Sequence, residues 1–167
     1  MRRITVLAAM VFGFACGGSS NTQTFGATMS QAGEPQANRL RASTATGTAS
    51  VQIVGSTLTY SLRATGLTTA TASAAHIHLK NATGGDTTNG AVIVTFKTTA
   101  GAATGSVSVD DTAPTTAGGP VPDATAKNTD GTPMTFAQLV QHIQNGETYV
   151  NVHTTNNPQG EIRGDLK

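Results

Sequence analysis

Apolar residues from Phe25 onward recur mostly at every second position, in short runs separated by Gly, Asn, Pro and Thr clusters. A period of two puts alternate side chains on opposite faces of a strand, so this pattern predicts an all-β domain. Gly55 and Ser56 lie between two such runs and predict a tight hairpin. We expect the first strand to lie at a sheet edge. The predicted strands are residues 24–29, 45–54, 57–65, 74–79, 91–96, 103–109, 148–154 and 161–166.

One segment departs from this period and predicts a short helix near 136–145. Thr135 and Gln138 have the spacing of a capping box, and apolar residues follow at i, i+3, i+4 and i+7 from Phe136. Gly146 is placed to end the helix.

Residues 110–133 have no periodicity and are rich in Pro, Gly, Thr and Ala, which predicts a long loop excursion over one end of the fold. Its aspartates do not match the spacing of a calcium-binding loop, so we expect solvated carboxylates there. They are Asp110, Asp111, Asp123 and Asp130.

The first 15 residues have the pattern of a signal peptide. Arg2 and Arg3 precede an almost wholly apolar run, residues 4–14, that is too short to span a bilayer. The Ala15-Cys16 step resembles a bacterial lipoprotein cleavage site, which implies lipidation of Cys16 and a membrane anchor. A plain signal peptide cut nearby, leaving a free thiol, is the alternative. We therefore divide the chain into a signal peptide (1–15), a flexible tether (16–23) and a folded domain (24–167), and expect a cell-envelope, periplasmic or secreted location.

Composition excludes several classes of function. The chain has 10 Lys and Arg against 9 Asp and Glu, a formal charge of +1, so no basic footprint for nucleic acid is present. Only 11% of residues are charged, and the single cysteine excludes a disulfide framework and a CxxC metal or redox motif. A protein partner in the envelope stays open.

Three histidines form the candidate chemistry. His76 and His78 alternate on one predicted strand and so share a face, and His153 lies on the polar face of the strand containing Tyr149 and Asn151. If the two strands are neighbours, three imidazoles converge, a ligand set suited to copper and less to zinc. The alternative is that the histidines form hydrogen bonds within the sheet. His142 falls on the polar side of the predicted helix and is given no role.

The last strand carries a row of charges, with Arg163 flanked at two residues by Glu161 and Asp165. We predict a structural role for Arg163 and Asp165 through bidentate hydrogen bonds at the strand ends. Glu161 and Asn151 are candidates for orienting the ring of His153 from behind.

The combined motifs AHIH at 75–78, YVNVHT at 149–154 and GEIRG at 160–164 resemble those of the CHRD (chordin-domain) family over residues 24–167. The resemblance implies a bacterial, exported, antiparallel Greek-key β-sandwich of the immunoglobulin-like or superoxide dismutase-like kind. Leu79-Lys80-Asn81 replaces the Gly-Pro-Ala that commonly follows HIH in the family.

Three functions follow as expectations. The first is a lipid-anchored envelope domain that binds a copper-like ion through His76, His78 and His153. The second is a copper enzyme similar to superoxide dismutase, with Arg163 attracting the anion. The third is a metal-free adhesion or scaffold module.

Overall fold

The computed structural model of the chain describes residues 21–69, 72–81, 88–96, 106–111, 115–116 and 119–167. The predicted signal peptide and Cys16 lie outside the described residues. Within these ranges the elements are one α-helix, α1 (Phe136–Gln144), and ten strands: β1 (Thr22–Ser30), β2 (Thr46–Val54), β3 (Thr57–Thr65), β4 (Ala74–Leu79), β5 (Val92–Thr95), β6 (Ser106–Asp111), β7 (Thr115–Thr116), β8 (Gly119–Pro120), β9 (Thr148–His153) and β10 (Ile162–Asp165). The predicted all-β class with one short helix is confirmed.

Eight of the strands form one antiparallel sheet in the order β5-β4-β9-β10-β1-β2-β3-β6, and β7 pairs with β8. Within it, β1, β2 and β3 are consecutive antiparallel neighbours and β10 returns beside β1, which is the strand order of a Greek key. The sheet folds over so that its two halves face each other. The contact that shows this is the stacking of the Tyr60 ring, on β3, against Phe96, directly after β5, with ring centroids 4.2 Å apart. A sandwich-like core results.

The hairpin of β2 and β3 was predicted almost residue by residue. Gly55 has φ +59° and joins β2 to β3, whose bounds agree with the prediction. The edge position predicted for the first strand is wrong, because β1 lies between β10 and β2. It also begins at Thr22, inside the predicted tether. One face of β1 is polar and solvent-exposed, and the sequence cannot distinguish an exposed strand face from an unpaired strand edge.

Helix α1 begins and ends as the sequence predicts. The Oγ1 of Thr135 accepts a hydrogen bond from the Gln138 amide at 3.3 Å, and the Gln138 side chain accepts one from the Thr135 amide at 2.9 Å. Leu139 and Ile143 are buried in the core, which secures the helix against the sheet. In the part of the chain that the structure describes, no helix is both long enough and apolar enough to cross a membrane.

The region predicted as a loop excursion contains the end of β6 and the short strands β7 and β8. β6 extends through Asp110 and Asp111, and the prediction of a solvated carboxylate is wrong for Asp123. Its carboxylate accepts hydrogen bonds from the Thr95 amide at 3.1 Å and the Thr95 hydroxyl at 2.7 Å. Its own amide donates to the carbonyl of Ile93 at 2.9 Å. These partners lie far away in sequence, so local spacing could not reveal them.

A short segment, residues 31–41, packs over the outer face of β9 and β10, and we refer to it as the covering segment. It contains two 3₁₀ turns, Gln31–Gly33 and Gln36–Asn38. Gly33 lies so close to the backbone of Arg163 that a Cβ there would collide with it. As a result all six residues of β9 are buried, and the polar face of this strand lies inside the protein.

Candidate metal centre

The three predicted histidines meet at one point. β4 pairs with β9 so that His76 lies opposite Asn151 and Ala74 opposite His153, which places all three rings on one face. Nδ1 of His76 is 3.0 Å from Nε2 of His153. One ligand nitrogen from each of His76, His78 and His153 lies within 4.8 Å of the other two. Convergence of the rings favours a metal site over three unrelated hydrogen-bonded side chains.

Two of the rings are held by backbone carbonyls. Nδ1 of His78 is 2.8 Å from the carbonyl oxygen of Gly90, and Nδ1 of His153 is 3.1 Å from that of Pro158. A carbonyl can only accept, so both Nδ1 atoms carry the proton and both Nε2 atoms keep a free lone pair. A histidine that binds a metal through Nε2 needs this tautomer, and such outer hydrogen bonds are what fix it.

The rings of His76 and His153 are joined by a hydrogen bond. Because Nε2 of His153 is unprotonated, Nδ1 of His76 donates to it. Two nitrogens 3.0 Å apart subtend nearly a right angle at an ion about 2.1 Å from each. A metal ion would take the place of the proton between them, and His76 would then carry its proton on Nε2.

Burial keeps all three imidazoles neutral. It lowers the pKa of His76 to about 3, helped by the charges of His153 and His78, and lowers that of His78 to about 4. Burial also lowers the pKa of His153. His78 and His153 are only 3% and 7% exposed, while His76 is half-buried and forms the outer side of the cluster. The ligand atoms are therefore available to a metal well below neutral pH.

A group of buried polar side chains adjoins the cluster, and the sequence analysis did not predict it. Glu34, on the covering segment, is 1% exposed, and burial raises its pKa to about 7. The amide of Asn151 lies beside both Glu34 and His78 and affects the pKa of each. Oε1 of Glu34, Nε2 of His78 and both amide atoms of Asn151 are buried without a hydrogen-bond partner among the described residues. Such a concentration is expected where an ion or ordered water completes the bonding.

Arg163 lies on the far side of Tyr149 from the histidines. Its guanidinium carbon is 3.3 Å from the centroid of the Tyr149 ring, and the opposite face of that ring stacks on His78 at 4.9 Å. Arg163 is 2% exposed, so the dismutase hypothesis, which needs it to attract an anion from solvent, has no support in its position. Its place in the stack instead fits a structural role.

The other charged residues of the last strand also have partners of their own. Asp165 forms an ion pair with Lys80 at 3.0 Å. Glu161 is buried and accepts hydrogen bonds from Ser43 at 2.6 Å, Thr154 at 2.6 Å and Thr68 at 2.7 Å. The carbonyl of Pro158, rather than Glu161, therefore orients the His153 ring.

The cluster fits a metal ion in the chemistry of its donors. Two ligands about 2.1 Å from one ion lie at most about 4.2 Å apart, so the widest pair must close by about 0.6 Å, which small ring rotations supply. Among the described residues no carboxylate or thiolate joins the three nitrogens. Imidazole donors alone suit copper and zinc rather than magnesium or calcium. His142, by contrast, lies apart and bonds to Glu147 and Asn128.

Several groups that shape the centre were missed in the sequence analysis: Glu34, Gly90, the hydroxyl of Tyr149 and the carbonyl of Pro158. None carries a local signal. Gly90 and Pro158 act through backbone carbonyls, which every residue has, and Glu34 reaches the site from a different part of the chain.

Comparison with known proteins defines the family. No curated protein and no solved structure matches the chain. A family model, that of the CHRD domain, matches residues 25–166 and so takes in most of β1, the three histidines and all of β10. The protein belongs to the CHRD-domain family.

Proposed function

We propose that this protein is an exported, lipid-anchored CHRD-domain protein that binds a copper ion through His76, His78 and His153. One observation carries the metal-binding part. Three neutral imidazoles converge at a buried point, and backbone carbonyls hold two of them as Nε2 ligands. Such an arrangement serves metal binding better than it serves stability, because Nε2 of His78 is buried with only the Asn151 amide beside it and without a hydrogen bond of good geometry among the described residues.

Copper is the ion that these donors favour. For a given set of nitrogen ligands, affinity among divalent first-row metals is highest for copper, with zinc weaker. No carboxylate, the ligand that harder ions favour, joins the three imidazoles among the described residues. Sequestration or delivery of copper in the envelope is the role we infer.

Titration of the full chain tests metal binding. We expect copper(II) or copper(I) to bind with a Kd well below ~10 μM, the range of loose surface chelation, as measured by competition with a chromophoric chelator. His153→Ala should weaken binding at least about tenfold. The matched control is His142→Ala, which removes the one histidine outside the cluster and should leave the Kd unchanged. Equal losses in the two variants, or no binding by wild type, would refute the proposal.

Export and anchoring rest on the first 16 residues. Arg2 and Arg3, the apolar run at 4–14 and the Ala15-Cys16 step support a lipoprotein signal. A single acyl chain binds membranes only weakly, so stable anchoring requires more than one. The β-domain begins only six residues after Cys16, which would hold it close to the bilayer surface.

Expression in a bacterial host tests the anchor. We expect the full chain to appear in the membrane fraction and its mature mass to show acyl chains on Cys16. Cys16→Ser should move the protein to the soluble exported fraction without changing its copper affinity. Recovery of an unmodified Cys16 in the membrane fraction would contradict lipidation, and retention in the cytoplasm would contradict export.

A further inference from the structure

Gly90 and Tyr149 both contact His78 and also contact each other. Its Nδ1 donates to the carbonyl of Gly90 at 2.8 Å, and the amide of that same Gly90 donates to the Tyr149 hydroxyl at 2.9 Å. The Tyr149 ring then lies flat on the imidazole, with centroids 4.9 Å apart and planes only 2° from parallel. Each member of the ring therefore holds the next.

We propose that Tyr149 and Gly90 are the positioning residues of the metal centre, holding His78 so that its Nε2 points to the ion. This inference rests on the copper-binding function proposed above. The Gly90 carbonyl sets the tautomer, the Tyr149 ring sets the plane, and the Tyr149 hydroxyl holds Gly90 where its carbonyl can reach. Outer-shell contacts of this kind typically change metal affinity by about 10- to 100-fold.

Tyr149 can act as a rigid support because it is itself fixed on every side. It is fully buried, and the guanidinium of Arg163 covers the face opposite His78 at 3.3 Å. A cation on one ring face is attracted to its π-electrons, so the phenol is clamped between Arg163 and His78. His78 lies directly opposite Tyr149 in the register of β4 and β9, and Arg163, which lies opposite Asn151, is the diagonal neighbour of Tyr149 on the same face.

Gly90 is restricted to glycine by its surroundings. A Cβ there would collide with the carbonyl oxygen of Leu79, which follows His78 in β4. The amide of Leu79 in turn donates to the carbonyl of Ala91 at 2.9 Å, so Gly90 and Ala91 are both held against the end of β4. The close approach brings the Gly90 carbonyl within reach of His78, and a larger residue would push it away.

The test uses Tyr149→Phe, which keeps the stacked ring and removes only the hydroxyl that holds Gly90. Tyr60→Phe is the matched control. Tyr60 is the only other tyrosine in the chain and is also buried, but it lies on β3 against Phe96. We expect Tyr149→Phe to raise the copper Kd of the full chain about tenfold and Tyr60→Phe to change it less than about twofold. Equal effects, or none in Tyr149→Phe, would overturn the proposal.

Nitrogen NMR of the metal-free protein supplies the second readout. In wild type, His78 should show a single neutral tautomer with the proton on Nδ1, and Tyr149→Phe should show a mixture of the two tautomers. A loss of general stability would not produce this signature while the protein stays folded. If wild type binds no copper, the proposed function fails, and the tautomer shift alone then decides whether Tyr149 and Gly90 position His78. An unchanged tautomer in Tyr149→Phe would refute that role.

Discussion

Glu34 should destabilise this protein above neutral pH, although it lies near Arg163. The side chain is 1% exposed, and burial raises its pKa from 4.5 to about 7 even though Asn38 and the Arg163 charge act in the opposite direction. Burial therefore prevails over ion pairing, and the folded protein holds a protonated carboxyl where the unfolded chain holds a carboxylate. Between pH 4.5 and 7 the unfolded state binds fewer protons than the folded state, so the free energy of unfolding falls as pH rises.

The size of the effect follows from the two pKa values. Their difference corresponds to about 3 kcal/mol at ~1.36 kcal/mol per pH unit, nearly all of it lost by pH 8. Glu34→Gln replaces the carboxyl with a neutral group of the same shape and removes this titration. The variant should match wild type within about 1 kcal/mol at pH 4.5 and be more stable by about 3 kcal/mol at pH 8.

Urea denaturation of metal-free wild type and Glu34→Gln at intervals from pH 4.5 to 8.5 measures the difference directly. All other residues are the same in both proteins, so their contributions are expected to cancel in the comparison. The competing view is that Glu34 is ionised and forms a buried ion pair with Arg163. On that view Glu34→Gln would leave a buried charge uncompensated and cost about 3–5 kcal/mol at pH 8. A variant less stable than wild type at pH 8 would therefore refute our reasoning.

Three further predictions concern the metal, a buried carboxylate and a close backbone contact. Because burial lowers the pKa of His76, His78 and His153, the loss of copper in acid should be centred below pH 6.5; a loss centred at or above pH 6.5 in competition titrations would contradict this. Burial raises the pKa of Glu161, but hydrogen bonds from Ser43, Thr154 and Thr68 hold that pKa below its ordinary value. The contribution of Glu161 to the stability of the fold is therefore present above pH 4.5 and is lost as pH falls below that value. Glu161→Gln should accordingly cost about 3 kcal/mol at pH 7 by urea denaturation and much less in acid, and an equal cost at both pH values would argue against an ionised Glu161. Gly164→Ala would bring a Cβ into the carbonyl of Thr28 and should lower the free energy of unfolding by more than about 2 kcal/mol, whereas Gly26→Ala, whose Cβ meets only the Ala49 oxygen at 3.9 Å, should change it by less than about 1 kcal/mol; similar thermal unfolding of the two variants would rule out the steric argument.

The strand pattern was predictable because a half-buried strand records its two faces in its own sequence. β3 and β4 have the bounds expected from alternation, and the capping box at Thr135 and Gln138 forms as its spacing predicts. β1 shows where this reasoning ends. Its polar outer face suggested an edge, but pairing depends on which other strands arrive beside it. Backbone hydrogen bonding between strands leaves no mark on the polarity of a single segment.

The metal centre divides in the same way. The spacing of His76 and His78 put two imidazoles on one strand face, and the pairing of β4 with β9 added His153. The contacts that prepare these rings come from elsewhere. The Gly90 and Pro158 carbonyls fix the tautomers, and a carbonyl is the same in every residue, so sequence alone could not select them.

By itself, then, the sequence determined the all-β class, the hairpins, the helix and the three ligand candidates, because each depends on periodicity or on spacing within one element. Only the tertiary structure decided that the polar face of β9 is buried beneath the covering segment. Burial lowers the pKa of His78, so that its imidazole is neutral, and raises the pKa of Glu34. The same packing puts the guanidinium of Arg163 over the ring of Tyr149. The physical reason is that desolvation depends on everything packed around a group, and those neighbours come from distant parts of the chain.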